Sequence, residues 1–319
     1  MFDITKDRKS CYNCCKVNKS KKNQRGRGTS FQVRGIVIIA LVITLVSLAI
    51  FCRWRMNDPR RVFDAMLENS LRTRSVTKTV NQTDEYQNMK QTTQLLVGSQ
   101  NITRGLIELS QGEGTSVVTE SIGTPTEDFF RYTAIKTDQL SESGAPLDFS
   151  QAINVWGRTS NTFEDGSTNG QLYGEMVLGI IPIGYLNPSD RKELLSEIKS
   201  NNVYEVDYGK VNRSNIKGRP TYKYEVKMKP EAYVNLLKKF AKKVGLTQLE
   251  NVDSSVFKDS PLAEMTVTVD VWSRQLTGLE MAGTGRNEIY WSYGAKISID
   301  QPTDTIPVEV LQEKLQSVQ

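Results

Sequence analysis

Arg219 to Lys229 reads RPTYKYEVKMK. Tyr222, Tyr224, Val226 and Met228 alternate with Lys223, Glu225, Lys227 and Lys229, so one face of the stretch is apolar and the other charged. A period of two is that of a strand buried on one side and solvated on the other. The period then changes. Pro230 opens a helix whose stripe is Tyr233, Leu236, Leu237, Phe240 and Val244, and Gly245 ends it. Two further strands follow. Met265, Val267, Val269 and Val271 alternate with Thr and Asp, and Ile289, Trp291, Tyr293, Ala295, Ile297 and Ile299 take every second position of 289–299. Ile306-Pro307 opens a short terminal helix with Val310, Leu311 and Leu315.

Upstream of this stretch, Asp58-Pro59 caps a helix with Val62, Phe63, Met66, Leu67 and Leu71 at helical spacing. Segments near 73–80, 91–98, 102–110, 115–122, 127–136 and 151–159 are rich in Val, Ile, Thr and aromatics, and Gly and Asn punctuate them. They predict an antiparallel meander. A polar loop at 159–171 precedes Leu172–Leu186, LYGEMVLGIIPIGYL, which shows no clear helical or strand period. Asn187-Pro188-Ser189-Asp190 then caps a helix through about Lys199. Strands that follow strands directly are mostly antiparallel. The expected fold class is α+β: a curved antiparallel sheet, an incomplete β-barrel, with helices on the concave face, over residues 59–319.

The N-terminal end differs in kind. Gly35 to Cys52, GIVIIALVITLVSLAIFC, carries no charge, and twelve of its eighteen residues are Ile, Val, Leu or Phe. At 1.5 Å per residue it reaches roughly 27 Å, close to the hydrocarbon core of a bilayer. Those twelve side chains favour insertion by roughly 4–7 kcal/mol. Arg53, Trp54 and Arg55 follow, an aromatic and two snorkelling cations at one interface. A cleaved signal peptide has a shorter apolar stretch, and Phe51 is large for the position before an acylated Cys52. Residues 1–34 hold ten Lys/Arg and two acids, leaving the chain beyond residue 52 at −3 of the total +5. Seven cations precede the apolar segment within twenty residues and five follow it, so the tail is expected in the cytoplasm and the domain outside. The expected organisation is a basic cytoplasmic tail (1–34), a transmembrane helix (35–52), a juxtamembrane linker (53–58) and the extracytoplasmic domain.

The chain has no histidine. This excludes a Ser-His-Asp triad, a Cys-His pair and any His-ligated metal. The cysteines are Cys11, Cys14, Cys15 and Cys52, so the domain is built without disulfides. The basic balance belongs to the tail and gives no reason to expect nucleic acid at the domain. No motif calls for a cofactor. Glu164-Asp165-Gly166 reads as a turn rather than a calcium loop.

Val203–Val226, Lys229–Tyr233 with its helix, and Val269-Asp270-Val271-Trp272-Ser273-Arg274-Gln275-Leu276-Thr277-Gly278-Leu279 carry a resemblance to the lipoprotein-carrier half-barrel group (LolA/LppX-like extracytoplasmic domains). The resemblance spans roughly 60–319 and lies at the level of the fold. It implies an unclosed barrel around an apolar cavity for acyl chains. This chain departs from the lipidated members by an apolar segment in place of an acylated cysteine, which implies tethering rather than release. The expected function is therefore a membrane-anchored, non-catalytic binding domain for a lipid, lipoprotein or other amphiphile. The alternative is a structural or interaction domain of the cell envelope with no ligand cavity. Expected partners are the bilayer and the amphiphile, and the oligomeric state is left open. The 172–186 segment has two readings, a core segment that crosses the sheet or a mobile apolar lid over a ligand cavity. The lid would act through Leu172, Met176, Leu178, Ile180, Ile181, Ile183, Tyr185 and Leu186, with Gly174, Gly179 and Gly184 as hinges.

Overall fold

A computed structural model describes residues 42–47 and 57–318, apart from 85, 99, 113, 142–143, 164–165, 167 and 169. The chain divides into two units, Met1–Arg55 and Met56–Gln319. In the first, residues 42–47 are helical with exposed side chains. The tail, the rest of the apolar segment 35–52 and the linker up to residue 56 lie outside the described residues. Among the described residues no helix is long and apolar enough to cross a membrane.

The second unit is α+β, with a large, curved, unclosed sheet of thirteen strands. It opens with α1 (Pro59–Ser70), whose first turn is capped by the Asp58 carboxylate accepting from Arg61 N at 3.1 Å. A meander follows: β1 (Ser75–Thr83), β2 (Gln87–Leu96), β3 (Ile102–Gln111), β4 (Thr115–Gly123), β5 (Glu127–Lys136) and β6 (Gly157–Ser160). Then come α2 (Gln171–Val177), α3 (Pro188–Ser200), β7 (Tyr204–Val206) and β8 (Asn212–Ile216). A second meander is formed by β9 (Arg219–Met228), β10 (Ala263–Asp270), β11 (Leu276–Met281) and β12 (Arg286–Trp291), with α4 (Pro230–Lys243) between β9 and β10. β13 (Ile306–Pro307) and α5 (Val308–Gln316) close the chain. The two meanders are joined by β1 pairing antiparallel with β12. Beyond β9 lie both β7 and β8, and the opposite edge is β13, parallel to β6. The sheet is therefore mixed where an antiparallel one is expected, with β13 as its parallel member.

Side chains of α1 to α4 and of residues 178–186 share one core with one face of the sheet, here called inner. Val62, Phe63, Met66, Tyr173, Leu194 and Phe240 meet Val76, Leu95, Tyr224, Val267 and Leu279 there. A smaller cluster on the outer face joins Ile102, Ile122 and Phe129 to Ile299.

Two expected strands are shorter in the structure. Of 151–159 only 157–159 belong to a strand, the one that runs Gly157–Ser160. The 289–299 strand ends at Trp291, because Ser292 (φ 52°) and Gly294 (φ 71°) take left-handed backbone. Ile297 and Ile299 then cover the outer face rather than extend the sheet. The phase of β12 is also opposite to the apparent pattern: Ile289 and Trp291 are 43 % and 49 % exposed, whereas Glu288 and Tyr290 are buried.

Candidate functional site

Leu172–Leu186 begins as a helix, α2, despite the missing period, and continues as an irregular, bent stretch packed into the core. Met176, Ile181, Ile183 and Leu186 are buried, Leu172, Leu178 and Ile180 are half-buried, and Tyr185 is exposed. The backbone is held along its length. Gly184 N donates to Ser70 O and Leu186 N to Leu71 O, each at 3.0 Å. Tyr204 and Tyr233 donate to the carbonyls of Ile180 and Gly179 at 2.6 and 3.0 Å. Tyr185 lies under the Arg74 guanidinium, 4.4 Å from its ring centre. Gly184 has a packing reason rather than a hinge reason: a Cβ there would sit 3.0 Å from Phe240 Cζ.

The start of the segment is fixed by Asp128 on β5. Its Oδ2 accepts from Leu172 N at 3.3 Å, while Oδ1 is buried with no hydrogen-bond partner. Burial pushes its pKa up to about 6, although neighbouring Asn161 and the Leu172 N–H pull the other way.

Beside α2 the inner face of β2–β5 is not fully covered. Register sets its side chains in rows. Met89, Leu109, Val117 and Ile135 form one row near the hairpin tips. Gln91, Ile107, Thr119 and Tyr132 form the next, and Thr93, Gly105, Ser121 and Phe130 the third. Met89, Ile107, Leu109, Val117, Phe130, Tyr132 and Ile135 are all only half-buried. They make a contiguous, mainly apolar stripe four strands wide. None of these positions was among the expected site residues. The signal was weak: Leu109 stands between exposed Glu108 and Ser110, but Ile107 stands between Glu108 and an exposed apolar Leu106, so β3 has no clean alternation.

The same rows continue across the seam into buried charge. Lys78 stands opposite Thr93 and Tyr290, and Val80 opposite Gln91 and Glu288. Lys78 and Glu288 are 2 % and 3 % exposed. Glu288 is well satisfied: Oε1 accepts from Arg286 Nε and Nη2 at 2.9 and 2.8 Å, and Oε2 from the Tyr290 hydroxyl. Burial alone would raise its pKa, but the charge of Lys78, the Tyr290 hydroxyl and Arg286 outweigh it and hold Glu288 below the usual carboxylate range. Lys78 Nζ reaches the Glu175 carbonyl of α2 at a long 3.5 Å. Burial lowers its pKa despite the nearby carboxylates of Glu288 and Glu175. A lysine inside the β-branched run Val76-Thr77-Lys78-Thr79-Val80, in phase with the two valines, was the sequence signal for this cluster.

Among the described residues, clefts of about 220 to 690 Å³ open on the domain surface, and these four are lined by residues other than 172–186. One, of about 650 Å³, runs along β7, β9, β10 and β11 and is walled by Glu205, Asp207, Glu225, Lys227 and Glu264, with Lys227 bridging Glu264 at 2.7 Å. Among the described residues no group of three or more Cys, Asp or Glu is placed to hold a metal ion. No family model matches the chain, and no curated protein is similar to it.

Proposed function

We propose that the chain is a membrane-anchored extracytoplasmic domain that binds a lipid, lipoprotein or other amphiphile and carries out no catalysis. The reading joins the apolar segment 35–52 to an incomplete barrel whose concave, helix-bearing face takes the ligand. The observation that supports it is the half-buried stripe of β2–β5. Seven apolar or aromatic side chains on adjoining strands are left partly open to water although an apolar core lies beside them. Exposed apolar area of this kind marks binding surfaces. In this reading the acyl part lies on the stripe, and 172–186 is the wall beside it rather than a free lid.

The test is photo-crosslinking of the full-length protein in membrane discs with a diazirine fatty acid, the adducts being mapped by peptide. Adducts on β3, β4 and β5 are expected, and Leu109→Asp with Val117→Asp should remove them. A second reading, an envelope interaction domain without a cavity, is favoured by the close packing of Ile181 and Ile183 and by clefts that avoid the segment. Adducts confined to residues 35–52 would support it.

A further inference from the structure

Two hairpin tips at one end of the sheet form a surface that the amphiphile reading does not use. The β8–β9 tip carries Ile216, 45 % exposed, followed by Lys217 and Gly218 in left-handed backbone. The β10–β11 tip carries Trp272, 60 % exposed, followed by Arg274, also left-handed. The tips are fixed to one another. Arg219 Nε bridges Asp270 Oδ2 at 2.7 Å, and Val271 N donates to Pro220 O at 2.9 Å. Asp270 Oδ1 in turn accepts from Trp272 N and Ser273 N at 3.0 and 2.7 Å, which sets the turn that presents the indole. An exposed tryptophan on a braced turn is not the product of a slack loop.

Charge singles out this end. Residues 212–219 and 270–274 hold four cations, Arg213, Lys217, Arg219 and Arg274, against one carboxylate, Asp270, in a domain that is otherwise net acidic. Asp270 is buried and taken up by Arg219, so Arg213, Lys217 and Arg274 carry the field. The chain also enters the domain here. Tyr222 donates its hydroxyl to Asn57 O at 2.8 Å, and the Arg213 guanidinium lies 5.4 Å from the centre of the Tyr222 ring. Between Cys52, the end of the apolar segment, and Asn57 the chain can extend at most about 18 Å.

We propose that these two tips rest on the headgroup layer of an anionic bilayer. Trp272 and Ile216 enter the interfacial zone, where an amphipathic indole is favoured, and Arg213, Lys217 and Arg274 meet lipid phosphates and carboxylates. The proposal rests on the anchored reading of residues 35–52. It adds that the domain is held against the membrane rather than hanging from a loose tether. A lipid surface is chosen over a protein partner because the short chain to the apolar segment brings that surface within reach, and because cations on the same two tips as an exposed indole complement anionic headgroups.

The test uses full-length protein with all tryptophans replaced by 5-fluorotryptophan, reconstituted in discs of phosphatidylcholine with or without phosphatidylserine, each containing a spin-labelled lipid. Fluorine resonances are assigned with single Trp→Phe variants. In the anionic discs the Trp272 and Trp54 resonances should be broadened away while Trp156 stays sharp. Trp272 should sharpen again in zwitterionic discs, at high salt, or in the triple variant Arg213→Glu, Lys217→Glu, Arg274→Glu, with Trp54 still broadened. Trp54 broadened and Trp272 as sharp as Trp156 in anionic discs would overturn the docking surface while keeping the anchor, and would leave the tips to a protein partner. Both sharp would overturn the anchor and this proposal with it.

Discussion

At the scale of single residues, the inner face holds three buried ionisable groups, Asp128, Lys78 and Glu288. Asp128 is 4 % exposed, and its pKa stands at about 6 against an ordinary 3.8. Between those values the folded protein keeps a proton that the unfolded chain has released. Stability must therefore fall as pH rises through that window and stay lower above it, by up to about 3 kcal/mol. Asp128→Asn keeps an acceptor for Leu172 N but cannot ionise. Urea unfolding from pH 4 to 7.5 should show the variant losing this downward slope and gaining stability relative to wild type at neutral pH. The Lys78 and Glu288 pair makes an asymmetric prediction. Glu288→Gln leaves Lys78 and Arg286 facing one another with only the more exposed Glu175 carboxylate near Lys78, and should cost about 3–5 kcal/mol. Lys78→Met removes a buried ammonium with one long hydrogen bond, and leaves Glu288 to Arg286 and Tyr290. It should fall within about 1 kcal/mol of wild type or above it in the same unfolding measurement. Neither group stood out from composition, because pairing across the sheet is set by register between strands that are far apart in sequence.

At the scale of elements, local periodicity placed α1, α3, α4 and most strands close to where they lie, since each carries its own cap or alternation. It misled where two phases compete. In Glu288-Ile289-Tyr290-Trp291 the larger apolar residues suggest one inward set, yet Lys78 and Val80 on the neighbouring strand fix the other. Residues 172–186 were illegible for a different reason. Apolar side chains fill its half-buried and exposed positions (Leu172, Leu178, Ile180, Tyr185) as well as its buried ones, and Glu175 alone is charged, so little polar face is left to generate a period and α2 left no signature. Packing now separates its residues. Ile181 has no exposed surface, so Ile181→Ser should cost about 3–5 kcal/mol and lower the melting temperature sharply. Ile180 is half-buried, so Ile180→Ser should cost about 1 kcal/mol. Binding of a fluorescent fatty acid measured on Ile180→Ser is then informative. Lost binding with a nearly unchanged melting temperature would return the segment to a role at the ligand, and unchanged binding would leave it as core.

At the scale of the whole molecule, the anchored reading makes a topological prediction. Protease added to intact cells or spheroplasts should digest the domain beyond Arg55 and spare residues 1–30, and the protein should stay with the membrane through high-salt and carbonate washes. A domain protected until the membrane is broken would reverse the orientation, and release by carbonate would remove the anchor. The sheet itself has a further consequence through its seam. Each meander pairs neighbours in sequence, but β1 pairs with β12, and Trp291 donates to Thr79 across more than two hundred residues. During synthesis the first meander is complete long before its partner strand exists, so β1 must wait with one edge unpaired. Closing so long a loop is slow relative to forming hairpins. The last kinetic phase of refolding should therefore report on the β1–β12 seam, and the half-made chain is the form most exposed to edge-to-edge aggregation.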